Sequence, residues 1–536
     1  MHRLTKPMLA RCLSASLLGF DAIPVTVEVD LAPGLPGLQL VGLPDAAIQE
    51  SRERVRAALR NSGFRGPLVR VVVNLAPADL RKEGPCFDLP IALALLVASG
   101  QLDAPVLRGL WCAGELGLDG SIRPCRGILA IACRAAEQKA RALVVATDDA
   151  AEAGLVDGLT VVSATTLHDL VEGLKAGGEL SANRLAKAST LATPSTPIPT
   201  SPNTSSPNTS SHKSAPASAP IAKLPGQRLA RQGLALAAAG GHHLLLVGPP
   251  GCGKTQLAHQ LPALLPPLET QESLEITRLH SVAGLTRGHG QLIRTRPFRS
   301  PHHTSTSAAL LGGGAYPRPG ELSLAHGGVL FLDEMAEFPR SLLDQLRQPL
   351  EEGVIWLSRA RQRCRFPSRV TLVAATNPCP CGWAGDPRCT CSELKRKRYW
   401  SRLSGPLLDR LDLQLKMDVP AADNLRRCFS QEETDLEPCL DAATIQQARQ
   451  RMMERNPDQG TNRDLDAKAL YECGQFSPDT IDRWDAVNQA RRLSLRSGLR
   501  LLRVARSVAD LRDSATVEVS DLASALCFRS FDLEQS

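Results

Sequence analysis

The residues Gly248-Pro249-Pro250-Gly251-Cys252-Gly253-Lys254-Thr255 have types and spacing that bind phosphate. They fit G-x-x-x-x-G-K-[ST], in which glycines let backbone N–H groups wrap phosphates. Lys254 is placed to reach the β- and γ-phosphates of ATP, and the Thr255 hydroxyl to ligate Mg²⁺. Further on, Gly327-Gly328-Val329-Leu330-Phe331-Leu332-Asp333-Glu334 reads as a buried strand with two carboxylates at its carboxyl end. Asp333 is expected to hold Mg²⁺ and Glu334 to polarise the attacking water. A second such strand, Val370 to Thr376, ends on Asn377, which either positions water near the γ-phosphate or makes a turn before Pro378. In Leu403 to Leu413, Arg410 at a strand entrance suits an arginine finger offered to a neighbouring subunit's γ-phosphate, or a salt bridge to Asp409 or Asp412. Arg496, Arg500, Arg503 and Arg506 recur at helical spacing. One of them is expected to reach nucleotide, the rest to face solvent or nucleic acid.

Other groups point to metal and to nucleic acid. Cys379, Cys381, Cys389 and Cys391 form C-x-C, a spacer, and C-x-C. Four thiolates in so short a loop suit tetrahedral Zn²⁺, here expected to brace a DNA-facing side; the alternative is four free thiols. Val354 to Pro367 reads as a β-hairpin whose Arg359 and Arg361 contact DNA phosphates without reading sequence, or are simply solvated. Lys395-Arg396-Lys397-Arg398-Tyr399-Trp400 joins charge to aromatic rings, as single strands require, unless Trp400 packs inward. His302 and His303, being adjacent, cannot share a helix face and read as loop or interface residues.

These residues need a scaffold, and the 536-residue chain is long enough for several domains. No run of eighteen uncharged apolar residues argues for a membrane span, and no signal segment is evident. Fifteen scattered cysteines suit reduced thiols and a cytoplasmic setting. The net charge of +7 permits nucleic-acid binding without arguing for it. Residues 1–180 read as an α+β domain, with strands at Val25 to Val29 and Val69 to Val73 and helices at Asp45 to Ser62 and Asp88 to Ser99. Residues 181–222 are rich in Ser, Thr, Pro and Asn and read as a disordered linker. Residues 223–420 alternate β and α and imply a parallel α/β core. Residues 421–536 read as helical.

Together the phosphate loop, the Asp-Glu strand, Asn377, the Leu-Leu-Asp-Arg segment ending at Arg410 and the helical arginines resemble an AAA+ P-loop ATPase with a helical lid. Arg296-Pro297-Phe298-Arg299-Ser300-Pro301-His302-His303-Thr304, Pro319 to His326, and Asn377 to Gly382 resemble more narrowly the magnesium-chelatase-like ATPases of the YifB/ComM family. Val41-Gly42-Leu43-Pro44 and Val73 to Leu80 resemble that family too. The resemblance implies a hexameric ring using ATP and Mg²⁺. It implies a DNA helicase promoting branch migration on single- and double-stranded DNA and branched junctions during natural transformation, with recombination proteins as possible partners. It also aligns the lid arginine with Arg496. The chain departs from the family at Leu224-Pro225-Gly226-Gln227, which touches the adenine contacts, and in its longer linker.

Two other functions fit parts of the chain. One is a chelatase motor subunit serving Mg²⁺ insertion into a tetrapyrrole. The other is a peptidase, because the N-terminal domain resembles the Lon-protease-like fold, related to the second domain of ribosomal protein S5. Glu83-Gly84-Pro85-Cys86 falls near where Lon-type proteases carry a nucleophile. The helix from Gly127 to Arg134 offers no lysine to activate Cys86.

Overall fold

The computed structural model describes residues 9–66, 69–176, 227–286, 290–314, 317–359, 362–419, 442–457 and 460–529. The expected linker at 181–222 and Arg361 lie outside the described residues.

The N-terminal part contains strands β1 (Leu9–Leu18), β2 (Asp21–Ala32), β3 (Gly37–Val41), β4 (Arg70–Ala76), β5 (Leu110–Cys112), β6 (Glu115–Leu116), β7 (Ile122–Arg123), β8 (Ala142–Ala146) and β9 (Val161–Ala164). Seven of them form a mixed sheet in the order β3-β4-β2-β1-β5-β8-β9. In β2, Val25, Val27, Val29 and Leu31 are buried, the period-two pattern of a strand that covers a core. The helix Asp88–Ala98 packs on this sheet. It is apolar on every side and is buried from Asp88 to Leu96, as an all-apolar helix must be. Its one charge, Asp88, pairs with Arg54 Nε at 2.7 Å, from the helix Ala46–Asn61. Of the four arginines that make this second helix basic, Arg54 turns inward while Arg52, Arg56 and Arg60 stay exposed.

The second part carries β10 (Leu244–Val247), β11 (Phe298–Arg299), β12 (Gly312–Gly313), β13 (Arg318–Pro319), β14 (Val329–Leu332), β15 (Val354–Arg359), β16 (Gln362–Pro367), β17 (Thr371–Thr376) and β18 (Leu413–Lys416). Five of them form a sheet in the order β11-β14-β17-β10-β18, with every pairing parallel. β10, β14 and β17 are buried along their whole length, as a parallel sheet covered on both faces requires. Among the described residues no strand follows β18; the chain continues as helices Ala442–Arg455, Ala467–Cys473, Pro478–Arg491, Leu495–Leu511 and Val519–Cys527.

The C-terminal helices are tied to the amino ends of the strands by buried polar groups. Asp412, just before β18, meets His242 at 3.3 Å and Arg500 at 3.4 Å. Burial pushes the Asp412 carboxyl up, but His242 and Arg500 outweigh it and hold the group well below the usual carboxylate range. Asp510 binds Arg455 and Arg506. Arg500 and Arg506, read from spacing as solvated or facing nucleic acid, are therefore 6% and 0% exposed and structural.

The N-terminal part clasps the second through the turn between β1 and β2. The Phe20 ring lies 4.0 Å below the Arg278 guanidinium, which also donates to Phe20 O and pairs with Asp21. A Cβ at Gly19 would sit 2.9 Å from Cys364 Cβ on β16, so only glycine lets the turn approach the hairpin. Among the described residues no helix is long and apolar enough to cross a membrane.

Candidate active site

Parallel strands send their carboxyl ends the same way, so the loops after β10, β14 and β17 meet at one sheet edge. The loop after β10 runs Gly248 to Thr255. A Cβ at Gly248 would lie 2.5 Å from Met417 O, which fixes that residue as glycine. Lys254 Nζ folds back to donate to Gly248 O at 2.6 Å and Pro249 O at 2.9 Å, and reaches Asn377 Oδ1 at 3.2 Å. Burial lowers its pKa below the ordinary lysine value. The Asn377 side chain is thus drawn into the site from the end of β17, beyond making a turn before Pro378.

Thr255 Oγ1 donates to Asp333 Oδ2 at 3.1 Å. A hydroxyl and a carboxylate in contact beside a phosphate loop form the hard oxygen set that suits Mg²⁺. Glu334 has φ +50°, ψ +45°, the left-handed region that a residue with a Cβ seldom adopts. That torsion turns the chain sharply after Asp333. The Glu334 carboxylate lies 3.5 Å from His303 Nδ1. The His303 ring meets Phe338 edge-on, with centroids 6.4 Å apart. His303, read as a loop or interface residue, thus sits against Glu334. Its loop follows β11, and β11 neighbours β14, an adjacency that the linear order of motifs does not reveal.

Arg410 and Arg496 stand elsewhere. A cavity of about 1070 Å³ opens at the amino ends of the same strands, lined by His243, Gly328, Thr371 and Asp412. Arg410 and Arg496 line it together and share one carboxylate. Arg410 Nη2 lies 2.8 Å from Glu351 Oε2, and Arg496 Nη2 lies 3.0 Å from Glu351 Oε1. Arg410 therefore pairs with neither Asp409 nor Asp412. Within one chain the structure brings Lys254, Thr255, Asp333, Glu334 and Asn377 together, and Arg410 with Arg496. Glu351 was not legible as a partner, because it reaches both arginines only once the helix Arg347–Glu352 is placed.

The expected nucleic-acid residues divide. The hairpin forms, pairing Val354 with Pro367 through Arg359 with Gln362. Arg359 closes β15, and Arg361 lies outside the described residues. Arg363 and Arg365 on β16 are exposed, and the Arg363 guanidinium covers Trp356 at 4.1 Å. In the helix Glu393–Trp400 the rings face inward. Tyr399 is 4% exposed and bonds Thr376, and Trp400 Nε1 donates to Pro378 O at 3.0 Å. The Tyr399 ring is thus closed to bases and Trp400 is half-buried, while Lys395, Lys397 and Arg398 remain exposed. Cys86 is buried, and burial pushes its thiol up to about 12, which disfavours the thiolate a peptidase would need. The four sulfurs of Cys379, Cys381, Cys389 and Cys391 lie within 4.8 Å of one another.

Family models match three stretches of the chain. Residues 221–425 match the magnesium chelatase subunit ChlI model, 27–149 the model of subunit ChlI of Mg-chelatase, and 441–529 that subunit's C-terminal model. An uncharacterised protein of Mycobacterium tuberculosis is 41% identical over 97% of this chain and 98% of its own length. The uncharacterised protein YifB of Escherichia coli is 39% identical over 96% of each chain. The competence protein ComM of Haemophilus influenzae is 40% identical over 97% of each chain.

Proposed function

The chain belongs to the magnesium-chelatase-like family that includes YifB and ComM, and on that premise we propose that it is an AAA+ ATPase that drives a ring-shaped motor along branched DNA. One observation carries the reading. Lys254, Asp333, Glu334 and Asn377 stand at one edge of the sheet, while Arg410 and Arg496 are held over Glu351 at the other. A γ-phosphate bound by the first set needs a cation as charge spreads over it in the transition state. A neighbouring copy, related head to tail, can supply Arg410 and Arg496, and head-to-tail contacts that close make rings. A hexamer is the ring we propose.

Each residue then has a task. The carbonyls of Gly248 and Pro249 hold Lys254 ready, and phosphate oxygens replace them as its partners. Thr255 and Asp333 would hold Mg²⁺, which would supply positive charge against the phosphates. Glu334 accepts hydrogen from the attacking water, His303 orients that carboxylate, and Asn377 steadies Lys254 and the water. Glu351 keeps the two arginines together until a neighbour's nucleotide competes for them.

DNA as the track is supported by an arginine-bearing hairpin fixed to both parts of the chain, and by a relative whose name is competence protein. Arg359, Arg361, Arg363 and Arg365 would contact phosphates independently of sequence. Strand displacement on three-way junctions and forked duplexes is the test, with Glu334→Gln as the inactive control. We expect ATP-dependent displacement, faster on junctions. Displacement equal to that of Glu334→Gln on every substrate would refute the reading. The family models favour a second reading, a chelatase motor subunit, and ATP-dependent metallation of a porphyrin by the purified chain would select it.

A further inference from the structure

We propose that Cys379, Cys381, Cys389 and Cys391 bind one Zn²⁺, and that the loop held by this metal sets the positions of Pro250 and Asn377 in the ATP site. The proposal rests on the ATP-site part of the reading above and not on DNA.

The sulfur geometry fits the ion. Cys379 Sγ lies 3.3 Å from Cys381 Sγ and 3.8 Å from Cys389 Sγ, and the last two are 3.7 Å apart. Zinc bonded to four thiolates at about 2.3 Å places the sulfurs about 3.8 Å apart. The loop already has nearly that spacing, so an ion enters with little movement of the chain. Soft thiolates select zinc over the Mg²⁺ that the neighbouring hydroxyl and carboxylate favour, so the two metal sites do not compete.

The loop also needs a cross-link. Between Cys381 and Cys389 its one large apolar side chain, Trp383, lies on the surface side beneath the Arg388 guanidinium at 3.6 Å, and Arg388 pairs with Asp386. Thirteen residues with this composition bury too little to hold themselves, and segments this small are commonly stapled by metal.

The position of the loop gives the metal its consequence. It packs on the phosphate loop. Gly382, one residue past Cys381, has φ +84°, and a Cβ there would lie 2.7 Å from Pro250 Cδ. At the other end, Cys379 follows Asn377 by two residues, and Trp400 Nε1 clamps the intervening Pro378 carbonyl. Asn377 in turn accepts from Lys254. The four-cysteine loop therefore bears on the ATP site twice, through van der Waals contact with Pro250 and through the chain to Asn377.

The test uses the full chain purified with reductant. Elemental analysis should find about one zinc per chain, as a closed four-thiolate site predicts; less than half a zinc, or iron in its place, overturns the metal assignment. Cys389→Ser with Cys391→Ser should lose the zinc and weaken binding of a fluorescent ATP analogue about tenfold, the scale on which displaced site groups act. Gly382→Ala keeps all four sulfurs. It should retain zinc and still weaken the same binding several-fold, so the coupling can be read even if the cysteine variant does not fold. Unchanged ATP-analogue affinity in Gly382→Ala, or in zinc-free protein that is folded, overturns the coupling. Wild-type protein that holds zinc but binds no nucleotide would instead sink the ATP-site reading.

Discussion

At the scale of single residues, Glu334 carries the clearest mark of function. Its left-handed backbone is costly for a residue with a Cβ, and the sequence accepts it where a carboxylate must turn away from its strand. Glu334→Gln should keep nucleotide binding and lower turnover by about 10²- to 10⁴-fold, the usual worth of a general base. His303→Ala should lower turnover by about tenfold, because it removes orientation and leaves the base in place. Steady-state ATPase assays beside nucleotide titrations measure both; a His303→Ala enzyme with wild-type turnover would exclude its positioning role. Lys254, Asp333 and Asn377 were legible because each lies in or beside a strand whose local pattern identifies it. His303 and Glu351 were not, because each meets its partner only through the order of strands and the packing of a short helix.

At the scale of elements, the alternation of β2, the all-apolar helix Asp88–Ala98 and the buried runs of β10, β14 and β17 follow from hydrophobic period alone. The parallel order β11-β14-β17-β10-β18 does not, because strand adjacency is set by packing between distant segments. Inward-turned charges were equally hidden. Helical spacing places Arg496, Arg500, Arg503 and Arg506 near one face, but not the acids that meet them. Glu83, before the helix Asp88–Ala98, is another such group. Burial, with Arg81 opposing it and Asp45 adding to it, raises its carboxyl from 4.5 to about 7. The unfolded chain then releases this proton at lower pH than the folded one. The contribution to stability is full below about pH 4.5 and declines as pH rises through about 7. Glu83→Gln should flatten that decline, melting on the order of 2 °C above wild type at pH 8 and no higher at pH 4.5. Parallel melting curves for the two proteins across this range would show that Glu83 ionises as freely as in the unfolded chain.

At the scale of the molecule, Lys254, Asp333, Glu334 and Asn377 stand at one edge of the sheet and Arg410 with Arg496 at the other, and we propose that they are two halves of one ATP site. Local patterns named Lys254, Asp333, Glu334, Asn377 and Arg410, whereas the helical spacing offered four arginines and only the family resemblance singled out Arg496. Their separation emerged only from the fold, because the helix Leu495–Leu511 packs against the amino ends of the strands through Arg500 and Asp412 and carries Arg496 to Arg410. The turn at Gly19 to Asp21 fixes the N-terminal sheet to the helix Thr270–Ala283 and to the hairpin. The central claim is that the halves join between neighbouring copies, and mixing two inactive variants tests it most directly. Glu334→Gln lacks the base, and Arg410→Ala with Arg496→Ala lacks the arginines. In an equal mixture about a quarter of head-to-tail contacts would pair an intact base with intact arginines, so ATP hydrolysis should return to about that fraction of wild type. A mixture as inactive as either variant alone, in rings shown to contain both, would contradict the shared site.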